Sequence, residues 1–248
     1  MIETRELKKR FGPQPILDGV NLRIETGESV VIIGRSGGGK SVLLKHLIGL
    51  LQPDSGEVLV DGENISRLDE RQLLRVRQKF GMVFQSAALF DSMTVAENVA
   101  FPLQRNGNLT AGEIAARVAK ALEVVDLPGT EKKQPAELSG GMRKRVGLAR
   151  AIIYEPQIIL YDEPTTGLDP IVSDSIDKLI IRVRDHLNVT SVVVTHDMRS
   201  ARRVGNQVML LHEKKMYAHG TPEEIFASQD PIVRQFIDGV ADAQEVLF

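Results

Sequence analysis

A glycine-rich segment that ends in lysine and serine carries the strongest chemical signal in this sequence. It fits the phosphate-binding pattern G-x-x-x-x-G-K-S/T. Its residues are Gly34, Arg35, Ser36, Gly37, Gly38, Gly39, Lys40 and Ser41. The apolar runs Val30–Ile33 and Val42–Leu44 flank it, which gives the order strand, loop, helix. Amide groups of such a loop and the start of its helix attract phosphate oxygens, Lys40 would reach the β- and γ-phosphates, and Ser41 would bind Mg²⁺. The segment predicts an ATP or GTP site.

Two carboxylates end an apolar run farther along the chain. Leu160 and Tyr161 are followed by Asp162 and Glu163, and a strand of this kind beside a phosphate loop holds Mg²⁺, here through Asp162. Glu163 would then orient or deprotonate the attacking water. The alternative is that both acids are merely solvated at the end of a strand, and the phosphate loop upstream weighs against it.

A second segment, Leu138–Met142, has the composition of another anion-binding helix start. Ser139, Gly140 and Gly141 stand at the beginning of a predicted helix over 142–153, and a serine hydroxyl with glycine amides suits phosphate. The chain therefore has two phosphate-facing helix starts but one lysine-containing loop. We expect the second start to serve an ATP that is held mainly by another copy of the protein.

The pattern of apolar residues indicates which elements position these groups. Residues 1–33 are typical of a β-rich entry, 86–154 of helices, and strands and helices alternate again after 157. The predicted strands are Val20–Ile24, Ser29–Ile33, Glu57–Val60, Gly81–Phe84, Ile158–Tyr161 and Ser191–Val194. Helix caps are predicted at Thr94, Thr110 and Thr221, and a helix at 170–186. A parallel sheet interrupted by a helical subdomain is the simplest architecture.

The composition excludes several classes of function. Of the 248 residues, 42% are hydrophobic and 26% charged, the net charge is −2, and there is no cysteine. These values do not favour a nucleic-acid partner, and they exclude disulfides and thiolate metal sites. No apolar run approaches the roughly 18 to 20 residues that cross a bilayer, and Met1–Arg10 lacks the core of a signal peptide. Any membrane role is expected to come through a partner. Glu245–Phe248 resembles part of a protease-cleavage tag, and whether it is native stays open.

The order of these motifs resembles that of ATP-binding cassette (ABC) transporter ATPases, over nearly the whole chain. The positions that match further motifs of the family are the Q-loop Gln85, the signature Leu138–Met142, the acidic motif Ile158–Glu163, the D-loop Gly167–Asp169, the switch His196 and the adenine-stacking Phe11. For Phe11, simple packing is an alternative. The resemblance implies ATP hydrolysis as the activity, with ATP and Mg²⁺ bound.

The same resemblance implies the fold. It is an α/β fold, namely a P-loop NTPase whose RecA-like core contains a parallel sheet, with an N-terminal antiparallel β subdomain and an inserted α-helical subdomain. Within a single domain, the expected ranges are 1–85 and 157–220 for the core and β subdomain, 86–156 for the helical subdomain, and 221–248 for a C-terminal extension.

The resemblance also assigns roles to the matched side chains. Two copies are expected to close head to tail around two ATP molecules, each held by the Lys40 loop of one copy and the Ser139 segment of the other. Gln85 would contact Mg²⁺ and the attacking water, near the membrane-coupling surface. His196 would contact the γ-phosphate, and Asp169 would link the two sites. The expected Mg²⁺ ligands are Ser41, Gln85 and Asp162.

Several other side chains have simpler interpretations. The remaining histidines are expected to be structural or solvated, and they are His46, His186, His212 and His219. The basic run Arg143–Arg145 is interpreted as a solvated helix face. A group of apolar residues could line a groove for a permease helix or belong to the core. Its members are Phe84, Leu89, Phe90, Met93 and Phe101.

One departure from the usual family pattern narrows the resemblance. Met142 stands where most of the family carries glutamine, and Arg-Lys-Arg follows it. These residues and the segment Asp230–Gly239 resemble the ATPases of Mla-type systems, which move phospholipid between the two membranes of Gram-negative bacteria. The resemblance implies a permease, an MCE (mammalian cell entry)-type substrate-binding protein and a small regulatory protein as partners. It also implies a place on the cytoplasmic face of the bacterial inner membrane, held there by the permease.

Other classes stay open on the sequence alone. The ATPase of a polar-solute importer, such as one for amino acids, would share the catalytic motifs but usually keeps the glutamine at position 142. A cell-division ABC ATPase would differ mainly in its membrane partner. A non-enzymatic binding module is disfavoured, because Lys40, Asp162 and Glu163 are all present. The sequence identifies neither the transported molecule nor the direction of transport.

Overall fold

The structure is a computed structural model that describes residues 1–103 and 109–240. The chain forms two compact units. Unit 1 comprises Met1–Leu68 and Val194–Phe248, and unit 2 comprises Asp69–Val193. The domain boundaries expected from the sequence remain a prediction. Glu245–Phe248, which resembles part of a tag, lies outside the described residues.

Strands and helices alternate along most of the described chain. In chain order they are β1 (Ile2–Phe11), β2 (Gln14–Ile24), β3 (Ser29–Gly34), α1 (Lys40–Leu47), β4 (Ser55–Val60), β5 (Glu63–Asn64), a 3₁₀ helix (Ile65–Arg67), α2 (Glu70–Arg77), β6 (Phe80–Val83), α3 (Val95–Ala100), α4 (Ala111–Val124), a 3₁₀ helix (Pro135–Glu137), α5 (Gly140–Ile152), β7 (Ile158–Asp162), α6 (Pro170–Leu187), β8 (Thr190–Thr195), α7 (Met198–Val204), β9 (Gln207–His212), β10 (Lys215–Gly220), α8 (Pro222–Ala227) and α9 (Pro231–Asp238).

An antiparallel sheet in the order β2-β1-β4-β5 lies in unit 1. Ile2 of β1 pairs with Ile24 of β2. Val20, Leu22 and Ile24 are buried, whereas the residues between them are exposed. This alternation with a period of two is typical of a strand with one exposed face, and it confirms the strand predicted at Val20–Ile24. The sheet also confirms the expected N-terminal antiparallel β subdomain.

The strand that leads into the phosphate loop is buried along its whole length. β3 pairs in parallel with β9, which pairs antiparallel with β10. Val30, Val31, Ile32 and Ile33 are each 0% exposed, as expected for a strand that is covered on both faces. β3 ends at Gly34, so the glycine-rich loop leaves from the carboxyl end of a parallel strand, where such sheets bind ligands.

Unit 2 contains a second parallel pair, β6 and β7. Phe80 pairs with Ile158 and Val83 with Tyr161. Because the strands are parallel and in register, the chain leaves both of them at the same edge. Gln85 follows β6, Asp162 ends β7 and Glu163 follows it, so the loops that carry Gln85 and Glu163 begin as neighbours.

The helices begin where the sequence predicts caps. Thr94, Thr110 and Thr221 each accept a hydrogen bond from the amide three residues on, and the glutamate at that position bonds back to the cap. The predicted caps at Thr94, Thr110 and Thr221 are therefore confirmed, and each of them is a capping box. Helix α2 was not predicted, although Asp69 and Gln72 form a capping box that marks its start.

A single carboxylate joins two helices of unit 2. Asp126 accepts hydrogen bonds from Arg145 Nη1 on α5 at 2.7 Å and from Arg182 Nη2 on α6 at 2.6 Å. Its backbone has a φ of 57°, in the left-handed region that, after glycine, asparagine and aspartate tolerate best. The hydrogen bond from Arg182, with that from Arg145, holds the pKa of Asp126 below its usual range against the opposing effect of burial.

We predict that Asp126→Asn destabilises the protein in a pH-dependent way. Asparagine keeps the left-handed conformation but loses the charge, and the carboxylate is half exposed, so the free energy of unfolding should fall by about 0.5–1 kcal/mol at neutral pH. Folding lowers the pKa of Asp126 from its ordinary value of 3.8. The stabilisation is therefore fully present above the pKa of the unfolded chain, and it is lost as the pH falls through the lower pKa of the folded protein. Urea unfolding at pH 7 and about pH 2.5 tests this. An equal difference between wild type and variant at both pH values would contradict it.

Candidate functional site

Backbone crowding explains two glycines of the phosphate loop. Gly39, the residue before α1, has a φ of 99°, and a Cβ there would lie 3.0 Å from Ile16 O. A Cβ at Gly34 would lie 2.5 Å from Leu211 O, a distance that no side chain accommodates without backbone movement. These positions therefore require glycine in order to bring β3, the loop and α1 together.

The start of α1 is suited to an anion. The first turn of this fully described helix has no acidic side chain, and its cap residue, Gly39, makes no side-chain cap hydrogen bond. The amides of a first helical turn have no carbonyl partner within the helix, and the helix dipole makes this end positive. Arg35, Ser36 and Gly37 are exposed beside it, so a phosphate group can approach from solvent.

Lys40 places its ammonium group inside the loop. Nζ donates to Gly34 O at 2.8 Å and to Arg35 O at 3.0 Å, and the residue is only 5% exposed. Ser41, which follows it, is partly exposed. The loop thus carries a fixed positive charge where the sequence predicts the β- and γ-phosphates.

The acidic motif lies where β7 ends. Asp162 and Glu163 are 7% and 8% exposed, so neither is a freely solvated acid. Glu163 Oε2 accepts a hydrogen bond from Thr166 Oγ1 at 3.1 Å, and its backbone has a φ of 49°. A non-glycine residue in this region costs on the order of 1–3 kcal/mol, and such residues are enriched at functional sites.

The signature segment starts helix α5 earlier than predicted. The helix begins at Gly140, not Met142, because Ser139 is its cap and accepts a hydrogen bond from the amide of Met142 at 3.3 Å. Ser139 and Gly140 are exposed, whereas Gly141 is buried. The start of α5 at Ser139 and Gly140 therefore faces solvent, and the first turn has no acidic residue.

The remaining predicted site residues lie at the ends of strands and helices. Gln85 and His196 are exposed after β6 and β8. Asp169 is exposed and caps α6, where it accepts from the amides of Ile171 and Val172. Their predicted roles toward nucleotide stay predictions.

Phe11 is 49% exposed at the end of β1, with Lys9 Nζ 5.8 Å from the ring centre. This aromatic ring therefore does not belong to the core. Adenine stacking at Phe11 remains a prediction.

The interpretation of Arg143–Arg145 as a solvated helix face is wrong for Lys144. Lys144 is 7% exposed, and its Nζ donates to Gln85 O at 2.5 Å and to Glu163 O at 3.3 Å. Burial lowers the pKa of Lys144, while the charges of Glu163 and Asp162 oppose that shift. The helical period of α5 is the sequence signal that could have predicted the burial of Lys144. Gly141, Lys144 and Leu148 recur at intervals of three and four residues and are all buried.

The predicted Mg²⁺ ligands fit that ion by chemistry. Asp162, Ser41 and Gln85 offer carboxylate, hydroxyl and amide oxygens, and Mg²⁺ prefers oxygen, commonly taking one or two carboxylates with water and phosphate. Among residues 1–103 and 109–240, no group of three or more His, Cys, Asp or Glu side chains could hold a metal. In the same ranges, no helix is long and apolar enough to cross a bilayer.

The chain is similar to known proteins in sequence. Residues 17–166 match the family model described as ABC transporter. The "Probable ribonucleotide transport ATP-binding protein mkl" of Mycobacterium leprae is 44% identical over 238 residues, which cover 96% of this chain and 69% of that protein. The "Intermembrane phospholipid transport system ATP-binding protein MlaF" of Escherichia coli K12 is 42% identical over 242 residues, which cover 98% of this chain and 90% of that protein.

The chain is also similar to solved structures. A dimeric post-hydrolysis state of the ATP-binding cassette MJ0796, bound to ADP and Pi, has a TM-score of 0.82 and is 34% identical, covering 90% of this chain and 99% of that one. CbiO1 from Clostridium perfringens, part of the ABC transporter complex cbiONQ, has a TM-score of 0.84 and is 32% identical, covering 94% of this chain and 93% of that one. These likenesses confirm the expected P-loop NTPase fold.

We predict that Lys40→Met weakens ATP binding. Hydrogen bonds to a charged group contribute about 1.5–3 kcal/mol, so the Kd for ATP should rise about 10- to 100-fold. Calorimetric titration with ATP measures the change. Lys45→Met is the matched control, because Lys45 lies exposed in the last turn of the same helix and its loss should leave the Kd unchanged. A Lys40→Met variant that binds as tightly as this control would contradict the role of Lys40.

Proposed function

This chain belongs to the ABC transporter family, and we propose that it is the ATP-hydrolysing subunit of a system that moves phospholipid between bacterial membranes. The observation that carries the substrate proposal is the 42% identity to the phospholipid-transport protein of E. coli over 90% of that protein's length. The similarity to the ribonucleotide-transport protein of M. leprae is slightly higher in identity but spans only 69% of that protein. Met142 also supports phospholipid as the substrate, because methionine in place of the usual glutamine resembles the ATPases of Mla-type systems.

The phosphate loop binds the substrate in this proposal. The loop amides and the start of α1 surround the β- and γ-phosphates, and the ammonium of Lys40 adds a positive charge beside them. Ser41, Asp162 and Gln85 would hold Mg²⁺, which neutralises phosphate charge when bound. Phe11, exposed at the end of β1, is available to stack on adenine.

Hydrolysis requires a base and a positioned water. Glu163 is nearly buried, and Thr166 holds its carboxylate, which suits a group that accepts a proton from the attacking water. In this proposal Gln85 contacts the attacking water, and His196 contacts the γ-phosphate. Phosphoryl transfer depends mainly on such positioning and on charge stabilisation, since little covalent chemistry falls to the protein.

The signature segment explains why two copies are required. Ser139 and Gly140 expose the amide-rich start of α5, yet the segment has no lysine like Lys40. We assign it to an ATP held by the phosphate loop of a second copy, closed head to tail, with Asp169 linking the two sites. The dimeric structure of a similar ATP-binding cassette with ADP and Pi supports a nucleotide-bound dimer.

We predict that Glu163→Gln binds ATP, hydrolyses it slowly and accumulates as a dimer. Loss of a general base costs on the order of 10² to 10⁴ in rate, and the dimer should persist because ATP is not consumed. Phosphate release and size-exclusion chromatography with ATP and Mg²⁺ measure both effects. Glu123→Gln, an exposed site on α4, serves as the control. Near-normal turnover by Glu163→Gln would remove Glu163 from the base role.

An apolar surface in unit 2 is the proposed contact with a permease. Phe90 is 42% exposed and its ring lies 4.7 Å from that of Phe101. The buried Asn98 holds this turn by donating to the carbonyls of Phe90, Met93 and Thr94. A fixed turn that exposes aromatic rings suits a partner helix. The chain would then sit at the cytoplasmic face of the inner membrane, with an MCE-type protein and a small regulatory subunit in the same assembly.

Co-purification tests the transport proposal. The tagged chain would be extracted from its native membrane in mild detergent, and the associated proteins and lipids would be identified by mass spectrometry. We expect a permease, an MCE-type protein and phospholipid. A permease for a polar solute or ribonucleotide, or cell-division proteins, would contradict the phospholipid proposal and leave the ATPase assignment intact.

A further inference from the structure

Lys144 places a buried ammonium group between two loops of unit 2. Its Nζ donates to Gln85 O at 2.5 Å and to Glu163 O at 3.3 Å. The first loop follows β6 and the second follows β7, so these bonds connect the ends of the two parallel strands. Gln85 and Glu163 are the two residues whose side chains we propose to contact the attacking water.

The surroundings of Lys144 make these bonds costly to lose. The side chain lines a small cavity together with Leu148, Tyr161 and Leu179, and these neighbours are almost entirely buried. A charged group in apolar surroundings is stable only when hydrogen bonds or opposite charges replace its water. The ammonium therefore has a strong preference for the carbonyl oxygens, and this preference fixes where they lie.

Both loops adopt backbone conformations that need support. Glu163 has a φ of 49°, and Ala87 and Ala88 have φ values of 60° and 47°, a region that residues other than glycine rarely adopt. Arg150, six residues after Lys144 on α5, donates to the carbonyls of Ala87 and Ala88 at 2.6 and 2.7 Å. Helix α5 thus holds the Gln85–Ala88 segment from both ends.

We propose that Lys144 is a positioning residue that holds the main chains of Gln85 and Glu163 in the arrangement needed for hydrolysis. This rests on the catalytic roles proposed for those two residues. Because Lys144 lies on α5, the helix that Ser139 caps, it also fixes this helix to the loops that carry Gln85 and Glu163. Lys144 acts through these residues and touches no reacting atom.

The test compares ATP hydrolysis by the wild-type 248-residue chain and by Lys144→Met. Methionine keeps the apolar stem and removes the donor. We expect kcat to fall about 10- to 100-fold, because small displacements of catalytic groups have effects of that size, while KM for ATP changes by less than about threefold. Lys144→Gln retains N–H donors and should recover part of the loss. Lys120→Met removes an exposed lysine of the same unit and should match wild type.

Two results would overturn the proposal. The first is a Lys144→Met variant with near wild-type kcat. The second is a variant whose only change is a lower Tm, with kcat per folded molecule unaltered in both Lys144→Met and Lys144→Gln, since that indicates a structural role. Glu163→Gln is measured alongside. If it is also fully active, the catalytic assignment itself fails, whereas a slow Glu163→Gln with a normal Lys144→Met overturns the positioning role alone.

Discussion

A buried ammonium group bonded to main-chain carbonyl oxygens occurs in each unit, and the proposed chemistry depends on both. Lys40 makes these bonds within the phosphate loop of unit 1, and Lys144 makes them to Gln85 and Glu163 in unit 2. A charge removed from water is unstable without such partners. Each lysine therefore fixes main-chain carbonyls at the point where a parallel strand ends and a loop begins.

The two lysines are placed for different functions. Lys40 lies next to exposed residues of its loop, so its charge can act on a phosphate that arrives from solvent. Lys144 is surrounded by the side chains of α5, α6 and β7, so its influence stays within unit 2. The first arrangement suits binding and the second suits alignment of a base. Phosphoryl transfer requires both, because its rate depends on neutralised charge and on a correctly placed water.

Local signals in the sequence were sufficient for much of this fold. The capping boxes at Thr94, Thr110 and Thr221 and the strand, loop, helix order around Lys40 rest on neighbouring residues, and the structure has them. The contacts of Lys144 span 59 and 19 positions in the chain, so no local pattern reveals its partners. The positive charge of Lys144 predicted an exposed side chain, whereas its position on the same helical face as Gly141 and Leu148 predicted a buried one. The bridge made by Asp126 was missed for the same reason, since its arginines lie far away in sequence.

In the proposed dimer, each ATP site combines the phosphate loop of one copy with the signature segment of another. Mixing the Lys40→Met and Ser139→Arg variants, at an ATP concentration at which neither variant alone hydrolyses ATP, tests this shared site most directly. In a mixed pair, one site has both defects and the other has none. Because random association gives mixed pairs half of the time, with one intact site each, hydrolysis should recover to about a quarter of the wild-type rate. A mixture no more active than either variant alone would contradict the shared site.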